Sequence, residues 1–229
     1  ATLKNVALRS DGRLSLGPAF SELLDSSSPY LWAVVEDAKG NVYAAGGGPG
    51  NPGARVYIIP PDGKGRVLAE LDALEVHALA LDAGGRLYAA TTPDAKVFRI
   101  SPEGKAALFY DPKAKYAWAM AFDAKGNLYV ATGDQGLVHR VTPDGNGTVF
   151  YRTEETHARS LAVDANGNLI IGTEPDGLII RVNPSGQGFV LFETPKREVT
   201  AVLAGAGGVV FAAAAGNKAP AAAPPLPQP

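Results

Sequence analysis

Apolar residues along this chain come in short runs separated by polar turns, and no stretch holds the three-to-four spacing of an amphipathic helix. One phrase organises the runs. It reads Val35-Glu36-Asp37-Ala38-Lys39-Gly40-Asn41-Val42-Tyr43, and it returns at residues 80–88, 121–129 and 162–170. The aspartates Asp37, Asp82, Asp123 and Asp164 stand 45, 41 and 41 residues apart, and residues 202–210 carry a degenerate fifth copy. An Asp-x-x-Gly-Asn step between two apolar runs predicts a hairpin, with the glycine at positive φ and the aspartate capping the turn. A second turn follows each copy, at Pro61-Asp62-Gly63, Pro102-Glu103-Gly104, Pro143-Asp144-Gly145 and Pro184-Ser185-Gly186, its glycines 41, 41 and 41 residues apart. Each period therefore predicts four short strands, A to D, joined by tight hairpins.

Four antiparallel strands in a period of about 41 residues predict an all-β fold, a β-propeller of four-stranded blades. Full blades are expected at residues 31–70, 76–110, 116–151 and 157–193. Residues 4–22 match the second turn and predict a C–D half-blade; residues 198–215 predict an A–B half-blade. Two readings follow. The halves complete one another and close a five-bladed ring, or the chain belongs to a longer propeller, with the proline- and alanine-rich stretch from Pro220 to Pro229 as an insertion inside a blade. Residues 216–229 as a whole are expected to be a tail or linker.

The phrases Asp-x-x-Gly-Asn-Leu-Tyr-Val-Ala and Arg-Val-x-Pro-x-Gly resemble those of NHL-like and SMP-30-like bacterial propellers, over roughly residues 4–215. The resemblance implies the fold. It does not choose a function, because that fold carries binding proteins, lactonases and lyases alike. The tryptophan-docking phrases of quinoprotein propellers and the Gly-His…Trp-Asp pair of WD40 repeats are missing.

Composition narrows the classes. Charged residues are 19% and the net charge is −2, without a basic patch, which argues against a nucleic-acid partner. No apolar run reaches the 18 residues of a membrane span, although association with a membrane complex stays compatible with the chain. The absence of cysteine excludes disulfides and thiolate metal sites. It leaves the compartment open, with the periplasm or the extracellular space favoured.

Candidate chemistry lies at the entry of strand A. Five residues before each repeat aspartate stand Trp32, His77, Trp118 and Arg159; seven before stand Tyr30, Glu75, Tyr116 and His157, with Arg197 as the equivalent in the fifth copy. A period of two puts both columns on one face, where the A strands converge on the central channel. These residues either fill the seams between blades or form a mixed aromatic and charged ring at the channel mouth, a composition typical of binding surfaces. The glycine-rich stretch from Gly46 to Gly53 is expected to be a flexible surface loop. It opens no helix and lacks the Lys-Ser/Thr step of a phosphate loop. Glu75, His77 and His157, with Asp94, Asp134, Glu174 and Asp176 in the loops, are spread around the ring rather than converging on one point, so neither a metal nor another cofactor is expected. Deep in the channel, only Glu75 and Glu36 could supply a carboxylate. Ser160 has no nucleophile-elbow motif around it, and no catalytic residue is assigned. Arg99, Arg140 and Arg181 recur on strand C and are expected to be structural.

Pro224, Pro225, Leu226 and Pro227 in the tail are expected to dock in extended form, with Leu226 as the apolar anchor. Together these features point to a non-catalytic binding or scaffold propeller that associates with other protein subunits. A metal-dependent lactonase- or lyase-like enzyme working at the mouth is the alternative.

Overall fold

The computed structural model describes residues 6–17, 21–50 and 53–218. Within them the chain is all-β apart from one short 3-10 turn at Ala206–Gly208. A hairpin of β1 (Val6–Leu8) and β2 (Leu14–Leu16) comes first. Blade I is β3 (Tyr30–Glu36), β4 (Val42–Gly47), β5 (Ala54–Ile59) and β6 (Arg66–Leu71). Blade II is β7 (Glu75–Leu81), β8 (Leu87–Thr92), β9 (Val97–Ile100) and β10 (Ala106–Tyr110). Blade III is β11 (Ala117–Phe122), β12 (Leu128–Thr132), β13 (Leu137–Val141) and β14 (Gly147–Arg152). Blade IV is β15 (His157–Val163), β16 (Leu169–Glu174), β17 (Leu178–Val182) and β18 (Gly188–Glu193), and the pair β19 (Lys196–Ala204) and β20 (Val210–Asn217) follows. Every pairing is antiparallel between consecutive strands, apart from one bridge, Gly47 to Glu75, that joins blades I and II into a continuous sheet.

The repeat aspartates build the A–B turns. Asp123 accepts from the backbone N–H groups of Lys125 and Asn127 at 2.9 Å each and from the Asn127 side chain at 2.8 Å. Gly126, at φ 81°, supplies the left-handed step that the turn needs. Asp37 and Asp164 repeat the same three bonds. At Asp82 the Asn is replaced by Arg86, whose Nε reaches the carboxylate at 2.6 Å.

Blades stack face to face, so their inner strands are buried on both sides. β8 and β12 are buried along their whole length, whereas most of β18 is exposed. Between blades II and III, Tyr88, Val97, Met120, Leu128, Val130 and Val141 share one core. Between blades III and IV, Tyr129, Val138, Leu169, Ile171 and Ile180 share the next. Burial of this kind stabilises by about 25 cal/mol per Å² of apolar surface removed from water.

The hairpin β1–β2 has the geometry of a C–D pair. Leu8 faces Leu14 as Val182 faces Gly188, and its turn bonds, Arg9 N–H to Arg13 O and Gly12 N–H to Arg9 O, repeat those around Asn183. It forms a separate two-stranded sheet, as does β19–β20, and among the described residues no pairing joins the two. Val34 on blade I is 68% exposed and Phe211 on β20 59% exposed, so neither end of the stack covers the other.

Gly46 and Gly47 do not belong to a flexible loop. They are buried at the end of β4, and a Cβ on Gly46 would come within 1.9 Å of the Tyr30 carbonyl oxygen. Glycine is required there because β3 and β4 approach too closely for a side chain. The tail positions Pro224, Pro225, Leu226 and Pro227 lie outside the described residues.

Candidate functional site

Each A strand carries a β-bulge near its entry, and the bulged residue is the same repeat position every time. The register shifts fall between Leu31 and Ala33, Val76 and Ala78, Ala117 and Ala119, Ala158 and Ser160, and Val199 and Ala201. The extra residues are Trp32, His77, Trp118, Arg159 and Thr200. A bulge re-aims a side chain out of the ladder, which is how one face of an inner strand presents a large group beside small neighbours such as Ala33 and Ala119.

The bulged side chains meet across the seams. Trp32 stacks on His77, with ring centroids 4.7 Å apart and 14° between planes. His77 meets the edge of Trp118 at 5.1 Å, and the Arg159 guanidinium lies over the Trp118 ring at 4.0 Å. Arg159 then reaches the next strand, with Nη2 2.6 Å from Glu198 Oε1. The second column flanks the first: Tyr30 stacks on Trp32 at 5.6 Å, Tyr116 on Trp118 at 4.8 Å, and Glu75 accepts from His77 Nε2 at 2.7 Å. The structure thus brings Tyr30, Trp32, Glu75, His77, Tyr116, Trp118, His157 and Arg159 into one continuous relay. Aromatic pairs in such contacts contribute roughly 0.5–1.5 kcal/mol each beyond their buried area.

Strand pairing corrects the fifth copy by one residue. Ala204 faces Val210 as Val163 faces Leu169, and Gly205 N–H bonds Val209 O as Asp164 N–H bonds Asn168 O. Gly205 holds the aspartate position, so Glu198 rather than Arg197 stands in the second column. A turn without its aspartate gives no sequence marker for that register. Arg197 still touches the network through Glu174, with Nη2 3.1 Å from Oε1. Glu174 and Glu198, which hold Arg159 between them, are the members that residue spacing did not bring together.

The electrostatics are largely settled within the site. Burial pulls the His77 imidazole below its ordinary value, against the opposing pull of Glu75. His77 is therefore neutral at pH 7, with its Nε2–H given to the Glu75 carboxylate. His157 is lowered for the same first reason, burial, and Trp118 Nε1–H donates to its Nδ1 at 3.2 Å. Gly133 seats this pair, since a Cβ there would lie 2.5 Å from both atoms. Arg159, Arg197, Glu174 and Glu198 form two opposed pairs of charges.

Other candidates take structural positions. Ser160 Oγ donates to the Val199 carbonyl at 2.9 Å. Asp94 is held by Thr91 at 2.6 Å and by Lys96 at 2.8 Å. Asp176 gives its backbone N–H to Glu155 at 3.0 Å. Glu36 sits at the turn end of β3 opposite Val42, away from the mouth. Arg181 bonds the Gly208 carbonyl at 3.3 Å, and Arg140 packs over the Phe150 ring at 5.0 Å. Among the described residues no three His, Cys, Asp or Glu side chains lie together as metal ligands. No helix there is long and apolar enough to cross a membrane.

Four-stranded antiparallel blades set face to face, with their A strands carrying one ring of side chains, define a β-propeller. Several solved structures share this fold. Virginiamycin B lyase from Staphylococcus aureus superimposes with a TM-score of 0.71 at 18% identity, covering 90% of this chain and 69% of the lyase. A protein provisionally assigned as a gluconolactonase gives 0.63 at 17% identity, covering 93% and 82%. The calcium-binding protein regucalcin from Agrobacterium tumefaciens gives 0.62 at 15% identity, covering 84% and 67%. At these identities the likeness is one of fold. No protein-family model matches the chain, and no curated protein does.

Proposed function

We propose that this chain is a non-catalytic binding propeller whose mouth receives a segment of another protein, as one module of a larger assembly. The observation that carries the reading is the free end of the relay. Tyr30 and Trp32 are stacked on each other yet 51% and 49% exposed, and among the described residues no further blade covers them on that side. Glu75, Arg159, Glu174, Arg197 and Glu198 are already paired, which leaves the aromatic surface of Tyr30 and Trp32 as a contact on offer. Rigid aromatic surface suits extended, proline-rich segments, which lose little entropy on binding. Residues 219–229 have that composition, and Pro224, Pro225, Leu226 and Pro227 are the docking residues of this proposal. The repeat phrases favour an NHL-like or SMP-30-like lineage.

A peptide with the sequence of residues 219–229, titrated into the protein and followed by tryptophan fluorescence, tests this. Saturable quenching weakened about tenfold or more by Trp32→Ala is the expected result. A specific observation favours a second reading, a lyase- or lactonase-like enzyme: the 2.7 Å contact between Glu75 and the neutral His77, on a fold shared with a lyase. Turnover of a lactone or cyclic ester that disappears in Glu75→Gln, with no peptide binding at all, would replace the first reading with the second.

A further inference from the structure

The opposite end of the blades holds a second cavity, set between blades I and II among the turns. It measures about 810 Å³, whereas the matching cleft between blades II and III measures about 230 Å³. Three repeat positions explain the difference. Between blades II and III they are Tyr88, Phe109 and Phe122, three rings packed edge to face with both centroid distances from Tyr88 at 5.0 Å. Between blades I and II the same positions hold Tyr43, Leu68 and Leu81. Two phenyl rings are missing, and the space that they fill in one seam stays open in the other.

The walls and the rim of this cleft differ in character. Ile58, Leu68, Leu87 and Ile100 give it an aliphatic lining, and Tyr43 adds a half-buried ring. Four cations line it as well: Lys39 from a turn of blade I, and Arg86, Arg99 and Lys105 from blade II. Arg86 is held by Asp82 at 2.6 Å, which leaves the other three. None of the three enters an ion pair among the described residues. The Arg99 side chain is exposed, whereas its counterpart Arg140 packs over the Phe150 ring and Arg181 bonds the Gly208 carbonyl. Of the two carboxylates in the lining, Asp37 is consumed by its own turn through Lys39 N–H, Asn41 and Tyr43, which leaves Glu103.

We propose that this inter-blade cleft is a binding site for a small amphipathic anion, one with an aliphatic or aromatic body and a single carboxylate or sulfonate-like head. The volume lies within the usual range for small-molecule sites, and the mix of apolar lining with a few polar groups is theirs as well. The body replaces the two absent rings against Tyr43, Leu68 and Leu87. The head meets Lys39, Arg99 and Lys105. This site is separate from the mouth, which lies at the other end of the A strands.

The test is direct binding of the fluorescent probe 8-anilinonaphthalene-1-sulfonate to the full chain at neutral pH, with octanoate as competitor. One saturable site displaced by octanoate is expected. Leu68→Phe with Leu81→Phe rebuilds the ring trio of the next seam, and it should weaken binding about tenfold or more while the melting temperature holds or rises. Arg99→Glu with Lys105→Glu, both on the rim, should weaken the anionic probe by a similar factor and leave neutral 1-naphthol unchanged, which keeps the test decisive if the ring variant fails to fold. Trp32→Ala should leave probe affinity unaltered. Unchanged affinity in the folded ring variant or in the charge-reversed variant would overturn the proposal. Loss of binding in Trp32→Ala would do the same, by moving the probe to the mouth.

Discussion

The two ends of each blade are made by different rules. At the turn end the same side chain does the same thing in copy after copy: Asp37, Asp123 and Asp164 each hold a Lys or Asn backbone N–H, an Asn backbone N–H and an Asn amide. At the mouth the backbone device is constant and the side chain is not. One bulge recurs five times, and it carries Trp, His, Trp, Arg and Thr in turn. Repetition without variation serves folding, because every blade must solve the same turn. Variation on a fixed backbone feature is what a binding surface needs, since each position meets a different part of its neighbour or ligand.

The largest effect expected from this contrast comes from removing a turn cap. Asp123→Ala strands two backbone N–H groups and an amide, and it should cost about 1–3 kcal/mol. For a domain of this size that corresponds to a fall in melting temperature of roughly 2–4 °C per kcal/mol, measured by thermal denaturation. A cap variant that melts like the parent would erase the distinction between the two ends.

Acid sharpens the comparison next. His77, His139 and His157 are all lowered by burial, so the folded protein binds their protons less readily than the unfolded chain does. Their contribution is complete above about pH 6.5 and is lost as pH falls towards the folded values. The turn aspartates act lower. Burial raises Asp37, Asp82 and Asp164, but the hydrogen bonds from their own turns outweigh it and leave all three lowered. Their share is present above about pH 4 and disappears below. Thermal melts from pH 7 to pH 3 should show two descents, the first weakened by His139→Gln and the second by Asp164→Asn. A single descent would mean that the two sets of groups are not separately tied to folding.

Trp32→Ala is expected to be milder, a loss below about 1.5 kcal/mol by chemical denaturation, because half of the ring already faces water. Trp118→Ala should cost more, since its ring carries Arg159, Tyr116 and His77 at once. Equal losses would mean that the free end of the relay is as packed as its middle. Deletion of residues 1–17 should have the least effect, a melting change near zero, since Leu8, Leu14 and Leu16 are largely exposed. A large drop would show that the hairpin completes a blade.

How far the residues alone lead is clear from where each feature is encoded. Turns are local, so Asp-x-x-Gly-Asn and Pro-x-Gly are enough to place the A–B and C–D hairpins of the four full repeats. The mouth columns are legible for the same reason: they sit at fixed distances from a turn. A bulge is not local. It is a mismatch between two strands, and nothing in the composition around Trp32 or Arg159 announces it. The fifth copy slipped by one residue because Gly205 replaces the marker aspartate. Gly46 and Gly47 read as a loop because close approach of two backbones leaves the same trace in a sequence as flexibility does.

The relay also bears on how such an array grows. A blade copied whole brings its turns with it, and those function wherever the copy lands. Its bulged residue does not, because its contacts belong to the seam rather than to the blade. Trp118 copied beside itself would face another tryptophan in place of Arg159, and the guanidinium–ring–carboxylate sequence across blades III, IV and β19 would be interrupted. A new blade therefore arrives competent to fold and unfinished at the mouth, and its bulged residue must be substituted before the contacts across its seams are complete.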